Sequence, residues 1–326
     1  MNPLAPQSSV LRESSEHSSI GKCESSWGDR RRFSVVIPTH NRAALLARAI
    51  DSVYATGERN VDIVVVDDAS SDETRQMLRE RYPNVKCLQL SRNSGPGVAR
   101  NLGIQSATTP WVLLLDDDDL LDQRAFSIVN SGLDTLSELH RYPVVQFARS
   151  NGRIGRCFSI IRLEDYFRGE IAGDFTSIIQ VERFLESNLQ FPSSRVGAEH
   201  LLWFHIAREF GIPTWRSCIA QLTDDAPVRL CSTASQLVRA AEYADMIDET
   251  LRRYGVEMKS VAPTYYSKKM VGAFTYRLLA GDRRQALIGL NRNSSHGRVF
   301  RWALTVMSAI PSSLLRSAFI TYRKNT

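Results

Sequence analysis

Four consecutive aspartates, Asp116, Asp117, Asp118 and Asp119, follow directly on the apolar run VLLL at 112–115. Like charges ~4 Å apart repel by on the order of 1 to 4 kcal/mol, depending on the local dielectric. Carboxylates gathered in this way call for a counter-charge. A hard divalent cation supplies one, because Mg²⁺ or Mn²⁺ prefers oxygen ligands, takes one or two protein carboxylates and completes its shell with water and substrate phosphates. Asp116 and Asp118 are the metal candidates; the plain alternative is a solvated acidic turn opening a helix. Asp67 and Asp68 close a second apolar run, DIVVVDD at 62–68. Asp68 there suits a base N–H or ribose hydroxyl, the alternative being an Asx turn. Arg92 and Arg100 flank a turn containing Gly95 and Gly97 and would offer planar donor forks to a diphosphate. That turn is neither G-x-G-x-x-G nor a Walker loop, and alone it reads as an ordinary loop.

These residues share a position: each group stands just after an apolar, β-branched run. FSVVI at 33–37 precedes Pro38, Thr39, His40, Asn41 and Arg42. Helical spacing over 42–54 follows, then the strand at 62–68, a helix to Arg81 opened by a Ser70/Glu73 capping box, a strand at 85–90, a helix over 98–106 and a strand at 111–115. Strands alternating with helices predict an α/β fold, a doubly wound, mostly parallel sheet. In such sheets ligands bind outside the carboxyl ends of the strands, which gathers the motifs into one site and brings in Asp117. A helix over 123–139 and a strand at 144–148 extend the pattern; beyond 150 it weakens to candidate helices at 164–168, 180–187, 199–210, 233–254 and 265–280.

The 326 residues, 43% of them hydrophobic, bury an ordinary core. The net charge of +6 is gathered toward the two ends rather than along a stripe, which favours phosphates or an anionic membrane surface and argues against nucleic acid. Five widely spaced cysteines without C-x-x-C suggest neither a disulfide framework nor a zinc site, and a cytoplasmic setting is the simplest. Residues 1–32 read as a disordered polar tail, and no apolar run reaches the roughly 18 residues of a spanning helix.

The set VVIPTHNR at 35–42, VVVDDASSDET at 64–74, RNSGPGVARNLGI at 92–104 and VLLLDDDD at 112–119 resembles the family 2 glycosyltransferases with a GT-A fold. The resemblance implies a nucleotide-diphosphate-sugar donor, a UDP-sugar foremost, a divalent metal and inversion at the anomeric carbon. It implies that Pro38 and Thr39 border the nucleotide, with Asn41, Arg42, Asp67, Arg92 and Asp117 around them, that Asp68 binds the base and that Arg100 sits beside the donor. Asp116 and Asp118 fall on the family's D-x-D positions, with Asp119 in support. The family's catalytic base comes from a Glu-Asp pair opening a later helix; here GAEHLLWFHIAREFG at 197–211 offers Glu199 but has His200 in place of the aspartate. Either is a candidate base. Arg229, in a stretch resembling the family's Arg-Leu-Ser, is a minor phosphate candidate.

The resulting expectation is a glycosyltransferase domain over 33–230 and a helical region over 231–326. Aromatics between arginines at 298–324 suit a membrane interface and a glycan or lipid-linked acceptor, unless they simply cover the sheet. The activity expected is inverting sugar transfer in bacterial cell-surface polysaccharide synthesis, in the cytoplasm or on the inner face of the membrane. Two alternatives stand beside it. A nucleotidyltransferase would show a Gly- and Lys-rich loop where PTHNRAA stands; a non-catalytic sugar-nucleotide or glycan-binding module would bind donor without turning it over.

Overall fold

A computed structural model of the chain describes residues 32–223, 232–292 and 305–324. Residues 1–31 of the expected tail, Arg229 and residues 298–304 of the aromatic–arginine segment lie outside the described residues. The alternation predicted from sequence appears as β1 (Phe33–Thr39), α1 (Ala43–Tyr54), β2 (Val61–Asp67), α2 (Thr74–Arg81), β3 (Lys86–Gln89), α3 (Pro96–Ser106) and β4 (Trp111–Leu114). These four strands pair in parallel in the order β3-β2-β1-β4.

Period two decides what each face touches. Phe33, Val35 and Ile37 of β1 pack with Leu46 and Ile50 of α1 and with Phe126 and Val129 of α4 (Ala125–Asp134). Val36, between them, joins Val64, Val66, Val112 and Leu114 against Ala99 and Ile104 of α3. Each such side chain, fully buried, contributes roughly 1.5–3 kcal/mol, so a slip of one residue in β1 would expose its whole inner set.

Beyond β4 the sheet becomes mixed. A short β5 (Asp119–Leu121), β6 (Val144–Arg149), β8 (Phe158–Ile161), β10 (Phe175–Gln180) and β11 (Ile212–Leu222) join it, and β7 (Arg153–Ile154) pairs with β9 (Ile171–Ala172) apart. β10 runs antiparallel between β4 and β6, and β11 parallel to β6. The helix expected over 123–139 stops at Asp134, where the Thr135 hydroxyl donates to the Gly132 carbonyl, and a 3₁₀ turn follows at Leu139–Arg141. The Ser70/Glu73 capping box is absent: Asp72 accepts from the Thr74 amide, and the Ser70 hydroxyl accepts from the Asn41 amide instead.

α5 (Leu163–Arg168) and α6 (Val181–Glu186) lead to α7 (His200–Glu209). α7 is apolar around most of its surface because it is covered twice: Leu202 and Ile206 face the sheet, while Leu201 and Phe204 face Tyr254 and Met258 of α9 (Ala240–Val261) and Tyr266 and Met270 of α10 (Pro263–Leu279). α8 (Thr233–Val238), capped by Ser232, precedes α9. α11 (Arg283–Arg292) and a last helix, Ser312–Lys324, close the chain. The described residues form one compact unit, so the helices after 232 share packing with the sheet domain. Among the described residues no helix is long and apolar enough to cross a membrane.

Candidate active site

The carboxyl ends of β1, β2, β4 and β6 open into a cavity of about 780 Å³, within the range of small-molecule sites. Its rim is built by backbone that side chains hold in unusual shapes. Asn41 takes a left-handed φ of 54°, and its Oδ1 accepts from the Ser71 amide at 2.7 Å, joining the ends of β1 and β2. His40 Nδ1 donates to the Asp68 carbonyl at 2.7 Å. The Asp68 carboxylate accepts from the amides of Ser94 and Gly95 at 2.7 and 2.8 Å, fixing the loop before α3. Gly95 has φ 91°, and a Cβ there would lie 2.6 Å from the Ser194 carbonyl oxygen; the turn that sequence alone left ordinary needs glycine at this position.

The acidic loop is met by three arginines. Asp116 accepts from Arg100 Nη2 at 2.6 Å and from Arg149 Nη1 at 2.8 Å. Asp117 accepts from the Thr39 hydroxyl at 2.7 Å and from Arg42 at 2.8 Å. Asp118 Oδ2 lies 3.2 Å from Arg42, and Oδ1 has no partner among the described residues. Asp119, buried at the start of β5, has Oδ2 2.6 Å from Arg149 but outside hydrogen-bond geometry. The consequences differ along the loop. Burial alone would raise Asp116, but Arg149 and Arg100 outweigh it and hold the carboxylate well below its usual range. Burial dominates at Asp117 and Asp119, lifting the first to about 6 against Arg42 and the second to about 7 against Arg149.

An all-oxygen donor set of this kind suits a hard divalent ion. Asp118 fits best, with one oxygen open; Asp116 can join only by sharing oxygens now taken by guanidinium groups. Among the described residues no group of three or more His, Cys, Asp or Glu is arranged to hold a metal ion, so an ion held here would need phosphate and water oxygens to complete its shell.

The far side of the cavity is Glu199, at the N-terminus of α7, and one face of α8–α9. Glu199 Oε1 accepts from Arg100 Nη1 at 2.9 Å; Oε2 has no partner among the described residues. Gly197 beside it has φ 68°, which favours glycine, and a Cβ there would meet Oε2 at 3.4 Å, ordinary contact. Gln236, Arg239, Tyr243 and Met246, three or four residues apart, form the helical wall. Tyr243 stacks on Tyr276 of α10, whose hydroxyl donates to Gln236 at 2.7 Å.

The structure thus brings Pro38, Thr39, Asn41, Arg42, Asp68, Arg100, Asp116, Asp117, Asp118 and Glu199 to one cavity. It leaves three sequence candidates off its lining. Arg92 is exposed on the loop before α3. Asp67 is buried in the β2–α2 turn, accepting from the Ser70 amide, with Arg75 at 3.4 Å. His200 turns toward α9: the Thr250 hydroxyl donates to the Met246 carbonyl and so accepts from His200 Nε2 at 2.8 Å. Burial, with the charge of Lys269, lowers His200 to about 4, against a weaker raising contact with Gly197. Sequence reasoning missed Arg149, though it ends the strand predicted at 144–148 and the strand-end rule would have found it. It also missed the α8–α9 wall, whose Tyr and Met pass for core.

Residues 34–132 match the family described as glycosyl transferase family 2. A succinoglycan biosynthesis protein, ExoO, of Rhizobium meliloti is 32% identical over 51% of this chain and 53% of its own length. A GalNAc(5)-diNAcBac-PP-undecaprenol beta-1,3-glucosyltransferase of Campylobacter jejuni is 28% identical over 55% of this chain and 60% of its own. The chain thus spans little more than half of these curated relatives. Among solved structures, Staphylococcus aureus TarS 1–349 in complex with UDP-GlcNAc superposes with TM-score 0.53 at 18% identity, covering 90% of this chain and 92% of that one. The mannosyltransferase PcManGT of Pyrobaculum calidifontis, in complex with GDP-Man and Mn²⁺, gives 0.51 at 17%, covering 89% and 85%. At that identity the likeness concerns the fold.

Proposed function

We propose, from the match of residues 34–132 to glycosyl transferase family 2 and from the GT-A fold, that the chain moves a sugar from a nucleotide-diphosphate-sugar to an acceptor hydroxyl with inversion. The observation that carries the proposal is the convergence of Asp118 and the free Oε2 of Glu199 on one cavity at the strand ends. Pro38, Thr39, Asn41, Arg42 and Asp68 border the nucleotide, with UDP the leading base and diphosphate. Asp118, with Asp116, would hold Mg²⁺ or Mn²⁺, which would supply positive charge to the departing diphosphate. Glu199 Oε2 takes the acceptor proton as the acceptor oxygen bonds to the anomeric carbon; the bond from that carbon to the diphosphate breaks, and its electron pair leaves with the diphosphate.

The acceptor lies against Gln236, Arg239, Tyr243 and Met246. Relatives named for succinoglycan and for an undecaprenol-linked glycan support a glycan or lipid-linked acceptor and a role in bacterial cell-surface polysaccharide synthesis, in the cytoplasm or peripherally on the inner membrane face.

A thermal-shift screen of nucleoside diphosphates and their sugars, with Mn²⁺ and with chelator, tests donor and metal together on wild type and Asp118→Ala. Metal-dependent stabilisation by one nucleotide, lost in the variant, is the expected result. Stabilisation by none would end the transferase proposal, and stabilisation without release of nucleoside diphosphate would favour a binding module.

A further inference from the structure

We propose that Arg100 is a positioning residue: it holds Glu199 for acceptor activation and ties that carboxylate to the donor-binding loop. The proposal rests on Glu199 being the base. Arg100 stands on α3 with its guanidinium fork split between two acids, Nη1 to Glu199 at 2.9 Å and Nη2 to Asp116 at 2.6 Å. Its side chain is 12% exposed, and the guanidinium lies over the Phe191 ring, 5.6 Å from the centroid. Asp116 is anchored on its other side by Arg149, which also contacts Asp119. An unbroken ion-pair chain therefore runs Glu199–Arg100–Asp116–Arg149–Asp119, from the acceptor side of the cavity to the acidic loop.

Two features make this a positioning device rather than one more positive charge for phosphate. Both outer nitrogens of the fork are spent on protein carboxylates. The bond to Oε1 also leaves Oε2, above Gly197, as the oxygen presented to the cavity. A misplacement of about 1 Å at such a group costs on the order of 10²-fold in rate. Lysine, a point charge with one nitrogen, can hold one of the two acids but cannot span both.

The test is a double-mutant cycle. Nucleoside diphosphate release is measured with UDP-N-acetylglucosamine, UDP-glucose and UDP-galactose, together with UDP–Mn²⁺ binding by calorimetry, on Arg100→Gln, Arg100→Lys, Glu199→Gln and Arg100→Gln/Glu199→Gln. Arg100→Gln is expected to lower kcat by about 10²-fold while donor KM and UDP affinity stay within about 3-fold. Arg100→Lys should recover part of kcat, and the double variant should be no slower than Glu199→Gln alone. A tenfold loss of UDP affinity in Arg100→Gln, or losses that simply multiply in the double variant, would assign Arg100 to the donor and overturn the proposal. Wild-type turnover in Glu199→Gln would instead remove the base assignment, and this proposal with it. Loss of turnover in Glu199→Gln alone, with Arg100→Gln unaffected, would leave the base standing and sink only the tie. If Arg100→Gln does not fold, Arg100→Lys, which keeps the charge, carries the same comparison.

Discussion

The floor of the cavity and its helical wall are held by different physics. The floor gathers Asp116–Asp119, where burial opposes the charges of Asp116, Asp117 and Asp119, and the fold answers with Arg42, Arg100 and Arg149, whose side chains are 21%, 12% and 12% exposed. Each member's place follows from its partner. The wall of α8–α9 is held by the Tyr243–Tyr276 stack, the Tyr276–Gln236 hydrogen bond and, behind it, Arg277 reaching Asp245 and Asp248. Only the outline of the wall has to be kept. The comparison teaches that the floor, where the donor is proposed to bind, is specified by charge, whereas the wall, proposed for the acceptor, is specified by shape and should tolerate recutting with less effect on the fold.

The floor breaks most completely at Arg149. Arg149→Met leaves Asp119 buried without the counter-charge that contacts it among the described residues and Asp116 with half its support, a change of the kind that costs about 3–5 kcal/mol. Urea unfolding should show that loss, and a change under 1 kcal/mol would mean that water already screens the loop. Next is Glu199→Gln, which keeps shape and the Arg100 contact but cannot take a proton; kcat should fall about 10²–10³-fold with the melting temperature nearly unchanged. A variant that keeps its kcat would move the base elsewhere.

The same contrast explains what was legible in the sequence. The parallel half of the sheet could be read because apolar runs and turn residues there are local signals, and VVVDD or VLLLDDDD states both the strand and its polar end. The antiparallel insertion of β10 could not be read, since FTSIIQ pairs with β6 across 27 to 35 residues and with β4 across 65 to 69, and nothing nearby announces it. In the site, Asp116, Asp118 and Glu199 stood out by type and placement. The sequence singles out Asp68 for the base with Asp67 beside it, but only the backbone shows that Asp67 turns inward to Ser70 while the Asp68 carboxylate meets the loop before α3. Tyr243 and Met246 could not be told from core residues, because the apolar stripe of α9 (Ala244, Ile247, Tyr254, Met258) runs beside them.

Between floor and wall stands the pair Glu199 and His200, adjacent in sequence and facing opposite ways. Because burial lowers His200 to about 4 from an ordinary 6.5, the unfolded chain takes up a proton as the pH falls through 6.5 while the folded one does not until about 4. The unfolded state binds more protons in that window, so stability is complete above about pH 7 and declines as the pH drops from 6.5 toward 4. Between pH 7 and pH 5 this one group should cost about 2 kcal/mol. Urea titrations of wild type and His200→Asn at both pH values isolate the effect: the wild type should lose more than the variant, and parallel losses would mean that the imidazole is solvated and free to titrate.

The wall should give the smallest effect and the sharpest separation. Tyr243→Ala removes a ring that lines the cavity, but its neighbour Gln236 stays tied to Tyr276 and the core of α9 is untouched. Donor affinity, set by the floor, should stay within about 2-fold, while the acceptor KM rises about 5- to 20-fold, the scale of one lost aromatic contact of roughly 1–2 kcal/mol. Calorimetry with UDP and Mn²⁺ beside acceptor kinetics would read the two halves separately. If the change weakened UDP and left acceptor KM alone, α9 would belong to the donor side, and the division of the cavity into a charged donor floor and a shaped acceptor wall would have to be redrawn.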